Sequence, residues 1–393
     1  MGIGQSVGRG KSGMNVLQVM GCTSDQYASM ERYLVEKANY LSSHDSKLFL
    51  TYENTPKSEA FVQDFSTGGG YLSQNKVNGP FDFSSFGMIY RLMKKQDIGL
   101  VHTYFTPTCH YVNFFLALRG FRQVVRTAAN LPVSLGRDKK RLNRRSKIYL
   151  SLRHKWLAMA VKKILCRSEG VKKEFQELGV SAKKIAVVPG GVDTEEYLFR
   201  SPQREKMREE LRIDERTLVL GVFSRLVLVK RIERLIQAFG VLSQSCSDVK
   251  LLVAGDGPER SDLKSLAHAL RLDDRISFLG HREDISRLYS ALDIFCLPSK
   301  AEGMSNSILE AMATGLPVVA SDIPPNRELV EEGRGGYLID FGQSPSLLEK
   351  VEILSDEGLR KTMGAYNREK VVSRFSLKSR IEKEFQIYRE ISA

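Results

Sequence analysis

Two carboxylates, Glu302 and Glu310, stand eight positions apart around a short stretch, Gly303-Met304-Ser305-Asn306. An apolar run at 291–298 reads as a strand entering a loop just before them. An apolar helical face follows and is stopped by Gly315 and Pro317. At a helix start the N–H groups of Met304, Ser305 and Asn306 lack intrahelical acceptors and suit phosphate or sugar oxygens. Gly303 lets the backbone approach a ligand closely. Glu310, over a turn inside the helix, accepts hydrogen bonds but donates none, which matches a vicinal diol such as a ribose. Arg225 and Lys230 bracket the loop after a second apolar run, 218–223. Two fixed cations there would neutralise a diphosphate and stabilise it as a leaving group. A ligand carrying both phosphates and hydroxyls, such as a nucleotide sugar, fits the set. A helix cap beside a surface Glu, and a surface ion pair, are the structural uses of the same residues.

Two histidines add to this. His102 ends the apolar run 98–102, and His110 follows in a helical segment with Tyr104, Tyr111 and Phe114 nearby. A His at the carboxyl end of a parallel strand faces the ligand crevice, as a general base or a hydrogen-bond donor to sugar. A hydrogen-bonded structural His is the other reading. Gly280-His281-Arg282 stands at a further crevice end and could line a base.

The elements that must position these residues alternate strand and helix. Strand, Gly-containing turn and helix open the chain at 15–41, and strands follow near 47–52, 98–102, 123–127, 161–166 and 185–188. Residues 53–80 read as irregular, with Gly68-Gly69-Gly70 as a loop tip. A charged stretch at 194–216 reads as a linker with a short helix. A second alternating set begins at 218, with a helix expected from Lys230 to 242. The fold class is therefore α/β, with two doubly wound Rossmann-like domains facing a central cleft. The expected divisions are a flexible leader at 1–13, a first domain at 14–195 and a second at 196–375.

The chain of 393 residues carries 42% hydrophobic and 27% charged residues, the balance of a soluble globular protein. No run of 18 apolar residues and no signal-peptide pattern occur, and the five scattered cysteines form no C-x-x-C pair, so a cytoplasmic location is expected. The net charge of +13 is carried by the first half, where residues 137–173 hold 14 basic and two acidic residues. Tyr149, Leu152, Trp156, Leu157, Met159 and Val161 are interleaved with them. Basic residues with embedded aromatics suit an anionic membrane surface. Nucleic acid is a weaker alternative, since nothing resembles a nucleic-acid module, and a solvated helix face is another. Met1-Gly2-Ile3-Gly4-Gln5-Ser6 fits an N-myristoylation pattern that has meaning only where the transferase exists. Gly10-Lys11-Ser12 is not a P-loop, because Gln5 stands where the first glycine belongs.

The second half resembles the donor-binding half of retaining GT-B glycosyltransferases of family 4, through SRLVLVK (224–230), LLVAGDGP (251–258), ISFLGHRED (276–284) and LPSKAEGMSNSILEAMATGLPVVASD (297–322). The first half resembles them through IGLVH (98–102) and VVPGGVD (187–193). The resemblance implies that Arg225 and Lys230 hold the donor diphosphate and Glu310 the ribose. It gives the transferred sugar to Glu302 with the backbone of 303–306, and the base to the region of His281 and Arg282. It sets His102 near the transferred sugar and acceptor, and brings a C-terminal helix at 376–393 back onto the first domain. In the family the first loop approaches donor or acceptor and is often Gly-Gly rich; here it is Gly21-Cys22-Thr23-Ser24-Asp25, with Gly21 its one glycine. No D-x-D pair is present, so no metal and no cofactor is expected, and the cations would act alone. The expected activity is retaining transfer from a nucleotide sugar, UDP favoured, to a lipid-linked, polysaccharide or other cell-envelope acceptor at the inner membrane face. A soluble acceptor is the alternative.

Overall fold

Runs such as Leu218–Phe223 and Ile294–Leu297 are buried almost throughout, as strands covered by helices on both sheet faces must be. The computed structural model describes residues 13–20, 27, 29–104, 107–128, 144–343 and 345–392. The first half builds β1 (Asn15–Met20), α1 (Ser29–Ser42), β2 (Leu48–Tyr52), α2 (Glu59–Thr67), β3 (Gly70–Gln74), α3 (Phe83–Lys95) and β4 (Ile98–Tyr104). It continues with α4 (Pro107–Leu118), β5 (Val124–Ala128), α5 (Arg144–Met159), β6 (Lys163–Cys166), α6 (Glu169–Glu177) and β7 (Ile185–Val187). The second half builds α7 (Ser201–Glu210), β8 (Leu218–Phe223), α8 (Ile232–Ser245), β9 (Val249–Ala254), α9 (Arg260–Ala269), β10 (Ile276–Gly280) and α10 (Ile285–Ser290). Then come β11 (Ile294–Leu297), α11 (Asn306–Thr314), β12 (Val318–Ser321), α12 (Pro324–Leu329), β13 (Gly336–Ile339), α13 (Pro345–Ile353), α14 (Glu357–Arg374) and α15 (Leu377–Ser392).

The strands form two parallel sheets. The first runs β3-β2-β1-β4-β5-β6-β7 and the second β10-β9-β8-β11-β12-β13. Both reverse strand order beside their first strand, at β1/β4 and at β8/β11. The carboxyl ends of strands there open the crevices in which such sheets bind ligands. Each sheet has an apolar core on both faces. Helix α15 returns to the first sheet, where Leu377, Ile381, Phe385 and Tyr388 join the core of α1 and β2.

Two local expectations need correcting. The stretch 53–80 holds α2 and β3. Ser58 accepts from Phe61 N to cap α2, and Phe61 and Phe65, four apart, bury one helix face. Gly69 turns out of the helix at φ 81°, and a Cβ on Gly70 would lie 2.3 Å from the Phe65 ring. The glycines thus join a helix to an edge strand. Around Lys230 the chain makes a single 3-10 turn, Leu228–Lys230. Arg231 then adopts φ 52°, and α8 begins only at Ile232.

Candidate functional site

The second sheet sets the cationic loop. Arg225 follows the carboxyl end of β8, and its shape is fixed by the turn after β9. Leu226 N donates to Asp256 O at 2.9 Å, and Glu259 N donates to Leu226 O at 3.1 Å. Gly255 and Gly257 have φ 128° and 157°, and a Cβ on either would strike the carbonyl oxygens of Ser224 and Leu226. Only glycine allows the two loops to lie this close. The Arg225 side chain is exposed, and among the described residues nothing accepts a hydrogen bond from its guanidinium.

Lys230 reaches across to Glu302, Nζ to Oε1 2.6 Å, with the two side chains 17% and 10% exposed. Lys300 N donates to Val229 O at 2.8 Å and ties the two loops together. Ser305 caps α11, its hydroxyl accepting from Ile308 N at 3.3 Å. Lys230 and Glu302 therefore stand just before one helix amino end. Glu310, one turn in, is buried. Its Oε1 accepts from Ser29 Oγ of the other domain at 3.2 Å, and its Oε2 accepts from Tyr289 Oη at 3.0 Å. Burial raises its pKa, opposed by the hydroxyls of Tyr289, Ser29 and Tyr197. A buried carboxylate with hydroxyl partners on two sides is the environment a diol would also supply.

The first domain closes over this end of α11. Arg167, at the carboxyl end of β6, donates to Asn306 Oδ1 at 2.7 Å, and Gly190 N donates to the Met304 sulfur at 2.9 Å. Arg167 Nε is buried without an acceptor, and burial pushes this guanidinium down to about 10. Glu328 of α12 accepts from the N–H groups of Glu169 and Gly170, at 2.9 and 2.8 Å, at the start of α6. Arg167 was missed from sequence, although the rule that selected His102, a polar residue at a strand's carboxyl end, applies equally to it.

The remaining expected site residues are distributed differently. Gly21 lies outside the described residues. His281 is exposed on the loop after β10. Arg282 corrects the expectation of a base-lining side chain: its Nε and NH2 hold Asp284 at 2.7 Å each, and NH2 also holds Glu210 at 3.2 Å. It braces its own loop. His102 also needs correcting. It is fully buried, with Nδ1 2.5 Å from Tyr388 Oη and Nε2 2.7 Å from Thr127 Oγ1. Burial and the Lys37 charge hold its pKa well below the ordinary range. It belongs to a network in which Lys37 Nζ donates to Gln18, Tyr33, Glu384 and Tyr388 at 2.8–3.0 Å. Arg380 lies over the Tyr33 ring at 3.6 Å. Helix α15 supplies Arg380, Glu384 and Tyr388 of these groups, so the first-domain core excludes His102 from the open cleft. His110 sits in the first helical turns of α4, facing α5 instead of the Glu302 loop. Burial, with Arg126 and Arg153 adding to it, pushes it down to about 3.

Among the described residues no cluster of His, Cys, Asp or Glu could hold a metal ion, and no helix is long and apolar enough to cross a membrane.

Two family models match the chain. Glycosyltransferase Family 4 covers residues 30–196, and Glycosyl transferases group 1 covers residues 203–370. A relative from Escherichia coli, UDP-Gal:alpha-D-GlcNAc-diphosphoundecaprenol alpha-1,3-galactosyltransferase, is 28% identical over 78% of this chain and 79% of its own length. N-acetyl-alpha-D-glucosaminyl L-malate synthase of Bacillus anthracis is 30% identical over 56% of this chain and 57% of its own. Among solved structures, an Anabaena protein in complex with UDP superposes with TM-score 0.78 at 20% identity, covering 96% of this chain and 100% of that one.

Proposed function

We propose, from the premise that this chain belongs to the family 4 GT-B glycosyltransferases, that it moves a sugar from a nucleotide-sugar donor to a lipid-linked or polysaccharide acceptor of the cell envelope. The observation that carries the donor side is the meeting of Lys230 and Glu302 just before the amino end of α11, with Glu310 one turn inside and Arg225 exposed at the carboxyl end of β8. In this reading the donor diphosphate lies against Arg225, Lys230 and the first N–H groups of the helix. Positive charge fixed there stabilises the diphosphate as the glycosidic bond breaks. The sugar lies by Glu302 and Gly303, and the ribose hydroxyls take the place of Ser29 on Glu310. No metal is needed, because the two cations and the helix end supply the charge a metal would. Retention of configuration follows from attack on the face the diphosphate leaves. UDP is favoured as the nucleotide because the Anabaena neighbour carries it, and the lipid-linked acceptor because the E. coli relative acts on one.

The basic helix α5 and its flanks motivate work at the inner face of the cell membrane. A preference for anionic over neutral liposomes at low salt is expected, and equal binding to both would remove this part.

The deciding experiment is calorimetry of UDP, GDP, ADP and their sugar conjugates on wild type and Glu310→Ala, with and without chelator. One nucleotide family should bind in chelator and lose affinity in the variant. No binding at millimolar concentration would reject the donor site.

A further inference from the structure

Helices α4 and α5 lie side by side on one face of the first sheet and leave a groove of about 710 Å³ between them. One wall is His110, Tyr111 and Phe114 of α4; the other is a stripe of α5, Tyr149, Leu152, Trp156 and Met159. The stripe has the 3-4-3 spacing of a single helical face. Its four side chains are 53–65% exposed, an unusual cost in water for residues of this kind. Phe114 and Trp156 stack across the groove, ring centroids 3.8 Å apart. The stripe rises roughly 15 Å along the helix at 1.5 Å per residue.

Arg153 lines the groove, and Arg126 lies near it and His110. Arg126 of β5 has the same strand parity as Val124 and Ala128, which face the core of α4 and α5. The side chain is half-buried, and among the described residues no carboxylate or carbonyl accepts from it. Burial pushes it down to about 10, and the groups that act on it next are Cys109, Arg153 and Cys166. His110, His154 and Arg153 share its surroundings. Positive groups gathered without a counter-charge are costly unless an anion joins them. The groove also has a direction. Helix α4 leaves the carboxyl end of β4, so His110 lies toward the cleft. Helix α5 runs into the amino end of β6, so Trp156 and Met159 lie toward the opposite edge.

We infer that the α4/α5 groove seats an amphiphilic acceptor, its phosphate-bearing head against Arg126 and Arg153 at the His110 end and its apolar chain along Phe114, Trp156 and Met159. Calling the ligand an acceptor rests on the glycosyltransferase reading above; the match of an anionic head and an apolar tail to this groove does not. The head then lies at the cleft end of the first sheet and the chain leads away from it, so a sugar carried on the head can face the donor while the tail stays on its support. Arg126 and Arg153 act by binding and positioning.

Trp156 is the sole tryptophan of the chain, so its emission reports this groove alone. The full-length protein is titrated with farnesyl diphosphate below its micellar concentration, and separately with farnesol, inorganic diphosphate and phosphatidylglycerol vesicles. UDP binding is measured in parallel by calorimetry. Farnesyl diphosphate should shift Trp156 emission to the blue saturably, at least tenfold more tightly than farnesol or inorganic diphosphate. Arg126→Gln and Arg153→Gln should each weaken it fivefold or more. Arg153 lies on an exposed helix face, so its variant reports on binding even if the Arg126 variant folds poorly. Unchanged emission, or wild-type affinity in both variants, overturns the proposal. A shift with vesicles but no saturable response to farnesyl diphosphate also overturns it and makes the stripe a bilayer anchor. Loss of the groove response with nucleotide binding intact leaves the donor reading standing; a groove response in a protein that binds none of UDP, GDP and ADP rejects that reading and keeps an amphiphile site.

Discussion

Two Lys–Glu pairs divide the labour of this molecule. Lys37 and Glu384 meet at 3.0 Å with side chains 1% and 2% exposed, while Lys230 and Glu302 meet at 2.6 Å with side chains 17% and 10% exposed. The first pair is enclosed by Tyr33, Tyr388, Gln18 and Arg380, so every charge has a fixed partner and no ligand can reach it. Burial lowers Lys37 to about 8, while Lys37 and Arg380 hold Glu384 well below the usual carboxylate range. The second pair sits at the lip of a cleft just before a helix amino end, in a domain whose Arg225 has no side-chain partner among the described residues. The same two residue types brace a domain in one setting and stand ready for a ligand in the other; enclosure decides which.

Substitutions sharpen the contrast. The largest effect is expected at Glu384→Gln, which leaves Lys37 and Arg380 buried without their counter-charge. Removing one partner of a buried pair costs roughly 3–5 kcal/mol, to be read by urea unfolding. The folded-state pKa of Glu384 lies below its unfolded value of about 4.3. Its contribution is therefore full above that pH and is lost as pH falls toward the folded value. Wild type should lose stability in this acid range faster than the variant; parallel curves would break the assignment.

Lys230→Ala is expected to spare the melting temperature and lower kcat by about 10²–10³, the loss typical of a removed stabiliser of developing negative charge. Near-normal turnover would sink its role. Glu310→Ala should weaken donor binding by roughly 1.5–3 kcal/mol, the range for hydrogen bonds to a charged group, as measured by calorimetry. The smallest effect belongs to Glu328→Ala. It removes an anion from the start of α6, worth about 0.3–1 kcal/mol, visible as a slightly lowered melting temperature. A larger radius of gyration in solution scattering would mark the cleft as opened by the same change.

The second pair was legible in sequence because its logic is local. Arg225, Lys230 and Glu302 each follow an apolar run, and Ser305 is a capping residue type before a helical face. Strand ends and caps are read within a few residues. The first network was not legible, because Lys37 and Glu384 are separated by 347 positions and meet only through the return of α15. His102 was selected by the strand-end rule, and that helix covered it. Arg282 was selected by position, and Asp284, two residues on, took its side chain. The groove between α4 and α5 was half legible: the aromatic and basic residues of 137–173 stood out, but their relation to Arg126 and Phe114 required the packing of two helices on one strand.

The return of α15 also sets an order of events during synthesis. Ile381, Phe385 and Tyr388 complete the core of a domain whose other strands leave the ribosome before residue 190, while the entire second sheet is made in between. The usual sequence, in which an early domain folds as a unit before a later one appears, is therefore interrupted. The earlier sheet waits with Lys37, Tyr33 and His102 lacking their α15 partners until residues 377–392 arrive. A chain ended after residue 375, once released, should hold a finished second sheet and a protease-sensitive first one.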